Sequence, residues 1–461
     1  MRKILLFCVL VLSSCSKDYV EDIDDTTPLV ESFTTLSESF SAINQKTSYF
    51  KDQEYFTDYL SVNEIESFTH YEHHARYRIF GPSSVVLDYN GDDKQDIFAF
   101  ATSFCSEHPY SFHSGKFILI DDYKGNRIKT VFDSTFFYGV TLAVSDFNND
   151  GYSDVLVSSH DTKQNSYHAG EDQGGFTNNP HSKPRIITFS NGSLNQHEVG
   201  VAQDSHAITA GDINNDGLID FVQFPIIGYY NNSWDTNNFT VPTVSINQGN
   251  FTFDTSELVT DLNYESWYAF SYKLFDLNND GALDLIAGGH IGERKTPRYM
   301  NMFWDIIDSP IILWGNNSGH YTLTNSTLLI EQTLTQSNRT SYILGFGFSD
   351  FDNDGDIDVV AVTTRSEPDA TFESGLYYLN YYLISYENIG NKTFQEINNI
   401  EGAVDESNTI FTDFYEIKSI DYDKDGDIDL VPSNIPNWGT NNRYVNNLYW
   451  KKIENSYIRS W

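Results

Sequence analysis

Cysteine is nearly absent from this 461-residue chain: there are three, two of them at positions 8 and 15, which leaves Cys105 alone in the body. No intrachain disulfide can brace that body, so its stability must come from the core or from bound metal. Basic residues are also scarce, 28 against 65 acidic ones, for a formal charge of −37. Such a surface excludes nucleic acid and anionic membrane as partners, because both are negative as well. The chain has no Gly-x-Ser-x-Gly elbow, no phosphate-binding glycine loop and no His-Glu-x-x-His. These absences weigh against hydrolase, nucleotide and zinc chemistry. Methionine numbers only 3, while Tyr reaches 30 and Phe 33. With abundant Asn, Asp, Ser and Thr, that balance favours strands and turns over long helices, so a mostly β chain is expected.

Arg2 and Lys3 precede nine apolar residues, 4–12, and then Leu12-Ser13-Ser14-Cys15. The run is too short to span a bilayer and reads as a signal peptide over residues 1–15. Its end resembles the lipobox of bacterial lipoproteins, which implies acylation of Cys15 and a membrane attachment made only through that lipid. An ordinary signal peptide with an incidental cysteine is the alternative. Residues 16–28 carry Glu21, Asp22, Asp24 and Asp25 and read as a solvated acidic tether. They resemble the export signal of Bacteroidetes lipoproteins, implying an outer-membrane lipoprotein exposed at the cell surface; a plain flexible linker is the competing reading. In segment 29–79, Leu29, Phe33, Leu36, Phe40 and Ile43 fall at steps of four and three. That spacing predicts a short amphipathic helix, docked as a prop on the main domain.

The dominant feature is a repeat. An apolar strand, Asp-x-Asp/Asn-x-Asp-Gly-x-x-Asp and a second apolar strand recur from Asp88, Asp146, Asp212, Asp276, Asp350 and Asp421, at spacings of 58 to 74 residues. Each unit continues into two further strands, which predicts an all-β β-propeller of six four-stranded blades over residues 80–461. A seventh blade built partly from residues 48–79 is the alternative. Within each loop, oxygens at positions 1, 3, 5 and 9 and the carbonyl of position 7 provide the hard shell that Ca²⁺ prefers. The expected ligands are Asp88, Asn90, Asp92 and Asp96; Asp146, Asn148, Asp150 and Asp154; Asp212, Asn214, Asp216 and Asp220. They continue with Asp276, Asn278, Asp280 and Asp284; Asp350, Asp352, Asp354 and Asp358; and Asp421, Asp423, Asp425 and Asp429. Up to six calcium ions are expected. Loops five and six carry Asp352 and Asp423 where the others have Asn, so they should retain calcium longest.

Position 6 needs a sharp turn with positive φ; it is Gly151, Gly217, Gly281, Gly355 and Gly426, with Asp93 in the first loop. An EF-hand is excluded, because position 12 holds Ala99, Val157, Gln223, Ala287, Ala361 and Pro432 rather than a bidentate Glu. Metal-free Asx-rich turns remain the competing explanation for any single loop. Six loops with carboxylates in one register instead call for a neutralising cation.

These loops, with Phe80-Gly81-Pro82-Ser83-Ser84-Val85 before the first, resemble the FG-GAP or VCBS repeats of integrin α-subunit propellers and bacterial surface proteins. The Phe-Gly-Gly-Ala-Pro element is degenerate after the first repeat. Connections between the second and third strands, 102–114, 160–184, 226–239, 288–309, 363–375 and 433–444, should emerge opposite the Asp loops. They vary in length and carry His160, Trp234, His290, Arg294, Arg365 and Trp438, the candidate ligand-binding residues. Aromatic faces suit sugar rings and Arg forks suit carboxylates. A non-catalytic module binding a polysaccharide or a surface protein is the first functional reading. A polysaccharide lyase on the same face, and a scaffold in an outer-membrane complex, are the alternatives.

Overall fold

The computed structural model describes residues 43–48, 70–72, 75–105, 115–122, 125–126, 128–134, 141–158, 183–190, 193–203, 205–225, 229–230, 233–234, 241–261, 266–292, 310–329, 341–365, 380–400, 404–405, 417–423, 425–432 and 449–460. Helix among them amounts to two short 3-10 turns, Asn44–Lys46 and Leu323–Asn325, and a helical residue at Ser48. The rest of the regular structure is antiparallel sheet, assembled in chain order.

The first sheet holds β1 (His70–Glu72), β2 (Ala75–Leu87), β3 (Asp96–Cys105), β4 (Lys116–Asp121) and β5 (Ile128–Asp133). The second holds β6 (Leu142–Ser145), β7 (Asp154–Val157), β8 (Arg185–Ser190) and β9 (Ser193–Glu198). In the third, β10 (Ser205–Gly211) and β11 (Asp220–Pro225) are followed by a separate small hairpin, β12 (Tyr229–Tyr230) with β13 (Ser233–Trp234). Strands β14 (Thr243–Asn247) and β15 (Phe253–Glu257) then complete that sheet. The fourth comprises β16 (Ser266–Phe275), β17 (Asp284–Gly292), β18 (Ile311–Leu313) and β19 (Ser326–Leu328). The fifth comprises β20 (Ser341–Ser349), β21 (Asp358–Arg365), β22 (Asn380–Asn388) and β23 (Phe394–Ile397), with β24 (Val404–Asp405) added beside β22. The sixth is β25 (Ile417–Ile420), β26 (Asp429–Pro432), β27 (Tyr449–Ile453) and β28 (Ser456–Ser460).

Strand burial follows from position in this stack. Inner strands β6, β7 and β25 are buried at every residue; for β6 and β7 the first and third sheets cover the two faces. Their sequences are accordingly short and largely apolar rather than alternating. Outer strands β9 and β15 alternate exposed and half-buried residues, as expected where one face meets water.

The apolar clusters lie between sheets. Phe98 and Phe117 of the first pack with Val144 and Ile187 of the second. Leu156 of the second meets Ile208 and Phe221 of the third. Phe224 and Val244 of the third meet Leu274 and Leu285 of the fourth. Phe275 and Ile312 of the fourth meet Phe348 and Ile384 of the fifth. Val360 and Leu383 of the fifth meet Leu430 and Trp450 of the sixth. Four-stranded meanders packed face to face in chain order are the arrangement of a β-propeller.

Register shifts interrupt the strand before the Asp loop in four sheets, between Ile79 and Ser84, Ser205 and Ala207, Ala269 and Ser271, and Ile343 and Gly345. The Phe80-Gly81-Pro82-Ser83 element therefore marks a bulge of the inner strand, and its later counterparts keep the bulge without the motif.

The boundaries differ from the sequence reading in two places. Residues 70–72 and 75–79, placed there in the N-terminal segment or, alternatively, in a seventh blade, pair into the first sheet as β1 and the start of β2. Strands β3, β17 and β21 run on through residues 102–105, 288–292 and 363–365, which were expected as loop; cross-strand hydrogen bonding continues there. The last strand of the fourth sheet begins at Ser326, directly after the 3-10 turn Leu323–Asn325.

The predicted helix over 29–43 lies outside the described residues except for its last position. Ile43 joins the core shared by the third and fourth sheets. Asn44 is buried, and its Oδ1 accepts the Asp276 N–H at 2.6 Å while Nδ2 donates to the Asp276 carbonyl at 3.4 Å. Lys46 Nζ reaches Asp212 Oδ2 at 3.1 Å, and Ser48 Oγ accepts the Ala210 N–H at 3.0 Å. The segment thus docks between two sheets at the roots of their Asp loops.

Candidate metal centres

With β2 counted as the first strand of the first sheet, to which β1 is added at the edge, each Asp loop is the hairpin between the first and second strands of its sheet, so the six lie at equivalent ends of the sheets. One backbone frame recurs. The position-1 carboxylate accepts two amides: one oxygen takes the N–H of position 5, from Asp92, Asp150, Asp216, Asp280, Asp354 and Asp425, at 2.9 to 3.2 Å. The other takes the N–H of position 6, from Asp93, Gly151, Gly217, Gly281, Gly355 and Gly426, at 2.8 to 3.1 Å. To present those amides the chain turns left-handed at position 6, with φ of 84° to 98° at the five glycines and 60° at Asp93. Position 4 is left-handed too, at Gly91, Asn149, Asn215, Asn279 and Asn353. The sequence reading missed that second turn, although Gly or Asn at those places was its visible signal.

Position 9 is the anchor. Asp96, Asp154, Asp220, Asp284, Asp358 and Asp429 are at most 2% exposed. In all six, Oδ2 accepts the N–H of position 2, from Tyr89, Phe147, Ile213, Leu277, Phe351 and Tyr422. In five sheets Oδ1 accepts the N–H of a residue near the end of the third strand: Asp122, Asn247, Gly315, Asn388 or Lys452. Burial pushes these carboxyls up, to about 8 for Asp154 and Asp284 and about 7 for Asp96, Asp220, Asp358 and Asp429, and the amide bonds only partly offset it. Position 9 therefore has a structural task besides any ligation, which spacing alone does not disclose.

Position 3 divides the loops. In the second, third and fourth, the amide Nδ2 of Asn148, Asn214 and Asn278 donates to the position-5 carboxylate at 2.8 to 3.0 Å. In the first, Asn90 turns instead to Asp121 at 3.3 Å. The fifth and sixth loops have Asp352 and Asp423 there. Among the described residues, two sets of three carboxylates have oxygens within 4.8 Å of one another: Asp350, Asp352 and Asp358, and Asp421, Asp423 and Asp425. Ligands 2.3–2.6 Å from a single calcium ion can lie at most about 5 Å apart, so the fifth loop fits such an ion, with oxygen donors only. Glu387 lies beside Asp352 and Asp354; burial and then the Asp352 charge raise its carboxyl. The sixth loop differs: the Lys451 ammonium meets Asp423 directly and Asp425 at 2.7 Å.

The opposite connections are less fully described. His160, Arg294 and Trp438 lie outside the described residues, as does Cys15. The backbones of Trp234, His290 and Arg365 lie in β13, β17 and β21.

Fold and loops together define a β-propeller with an Asp-rich hairpin in each sheet. Residues 146–222 match the FG-GAP-like repeat family, a span running from the first Asp of the second loop into the second strand of the third sheet. No curated protein sequence is significantly similar to the chain. Among solved structures, it is similar to rhamnogalacturonan lyase YesW, with a TM-score of 0.33 and 10% identity over 78% of this chain and 57% of that one. The exotype rhamnogalacturonan lyase YesX gives 0.28 and 12%, over 78% and 57%. A Bacillus licheniformis rhamnogalacturonan lyase gives 0.28 and 10%, over 77% and 58%. The chain thus spans less than two thirds of each of these proteins, and at such TM-scores the likeness says nothing of activity.

Proposed function

We propose that the protein is a calcium-stabilised propeller lipoprotein, anchored through Cys15 at the outer membrane and displayed on the cell surface. It binds a polysaccharide or a protein partner through the connections between second and third strands. The observation that supports the calcium part is the shared frame: in all six loops backbone amides hold the position-1 carboxylate beside positions 5 and 6. In the fifth loop this frame leaves three carboxylate groups within 4.8 Å of one another. Like charges held so closely are costly without a cation among them.

Binding rather than catalysis is the reading that needs fewest assumptions, since sheets stacked in series that present long connecting loops suffice for it. Elemental analysis of the purified chain should find bound calcium, and EDTA should lower its melting temperature by many degrees, restored by added Ca²⁺. An unchanged melt together with no bound calcium would sink the metal reading. For the ligand, a glycan array paired with an ultraviolet assay for unsaturated uronates separates the possibilities. Binding without product supports the module, product formation replaces it with a lyase, and neither result moves the search to protein partners captured from outer membranes.

A further inference from the structure

The position-9 frame aligns the sheets residue by residue. The residue whose N–H meets the position-9 Oδ1 is Asp122, Asn247, Gly315, Asn388 or Lys452, so the residue just before it occupies one shared register. That register holds Asp121 in the first sheet, Ile246 in the third, Trp314 in the fourth, Glu387 in the fifth and Lys451 in the sixth. It borders the Asp loop. Asp121 accepts from Asn90 at position 3 of the first loop, and Glu387 lies against Asp352 at position 3 of the fifth. Lys451 reverses the sign. Its ammonium bridges Asp423 at position 3 and Asp425 at position 5, two of the three carboxylates brought together in the sixth loop. The same side chain is 29% exposed, and the Tyr449 hydroxyl donates to Asp423 from the same strand.

We propose that the sixth loop holds the Lys451 ammonium where the other loops are built for a divalent ion, so that the chain does not load calcium there. This rests on the calcium reading of the remaining loops and corrects the expectation that loops five and six hold their ions most tightly. The two have equal carboxylate counts at positions 1, 3, 5 and 9, yet Glu387 adds negative charge to one and Lys451 adds positive charge to the other. A tethered ammonium next to two ligands repels a divalent ion and occupies the oxygens it would need.

Calcium bound per full-length chain, measured by equilibrium dialysis with Ca²⁺ alone, tests it. Asp421→Asn in the otherwise unaltered protein should leave the number of bound ions unchanged. Lys451→Met and Lys451→Gln should each add one equivalent, and that equivalent should vanish when Asp421→Asn is combined with either. Lys451→Arg should add none. Loss of one equivalent on Asp421→Asn alone overturns the proposal, as does failure of both neutral variants, shown folded by their melting curves, to gain an ion. A protein that binds no calcium until Lys451 is neutralised would overturn the reading of the other loops while sustaining this one.

Discussion

At the scale of single residues, the position-9 aspartates carry the most testable chemistry. Each is buried, accepts one or two backbone amides and has its carboxyl raised from 3.8 to about 7 or 8, chiefly by burial. In the unfolded chain these groups titrate near the ordinary value, so the metal-free fold binds protons more tightly than the unfolded state does. Their contribution to its stability is then fully present below the ordinary value of 3.8 and is lost progressively as pH rises to about 8. Calcium works in the opposite direction, because it binds the ionised form. Thermal melts should show the EDTA-treated protein more stable at pH 5.5 than at pH 8.5, with a larger gain from added Ca²⁺ at the higher pH. Asp154→Asn should narrow the difference between the two pH values in EDTA; a metal-free melt independent of pH would contradict the argument. The left-handed residues were partly legible: Gly at position 6 announced its turn, whereas Asn149, Asn215, Asn279 and Asn353 at position 4 were passed over as spacers.

Elements join through side chains that the repeat pattern does not single out. Asn247 sits at the end of β14, and its Nδ2 donates to the carbonyls of Phe147 in the second loop and Ile219 in its own sheet, at 3.0 and 3.1 Å. Asn388 repeats this from β22, reaching Leu277 in the fourth loop and Ile357. In the sixth sheet the equivalent Lys452 donates to the Asp350 carbonyl at 2.5 Å and to Asn353 at 2.8 Å. These contacts staple a third strand to the Asp loop of the preceding sheet. Buried polar groups deprived of partners cost about 1–3 kcal/mol each. Asn388→Ala should therefore lower the unfolding free energy measured in urea by an amount in that range, while Ile453→Thr, at the exposed end of β27, should change it by less than about 0.5 kcal/mol. Equal effects from the two substitutions would mean that the staple contributes nothing. The strands themselves were readable as apolar runs between Asp loops; the staples were not, because a lone Asn after a strand looks like any turn residue.

For the molecule as a whole, the sheets are coupled in series by the apolar faces between them, and residues 43–48 add a wedge between the third and fourth. Asn44 closes both backbone groups of Asp276, and Lys46 sits on the buried Asp212. Residues 43–48, where the predicted helix ends, thus reach the roots of two candidate metal loops. Asn44→Ala should cost about 1–3 kcal/mol by chemical denaturation, since the Asp276 N–H and carbonyl are buried with it. An unchanged midpoint would show that the wedge is not docked in solution.

Sequence alone decided the all-β class, the number and register of the Asp loops, and the oxygen-only character of their donors. Those features are local: residues that must share one hairpin lie within nine positions of each other, so their spacing already encodes their geometry. Only the tertiary structure decided that the position-9 carboxylates anchor the third strands, that Asn247 and Asn388 bind neighbouring sheets, and that Lys451 faces Asp423 and Asp425. Each of those contacts joins chain segments more than 20 residues apart, and which side chains meet across such a gap depends on sheet packing rather than on any pattern along the chain.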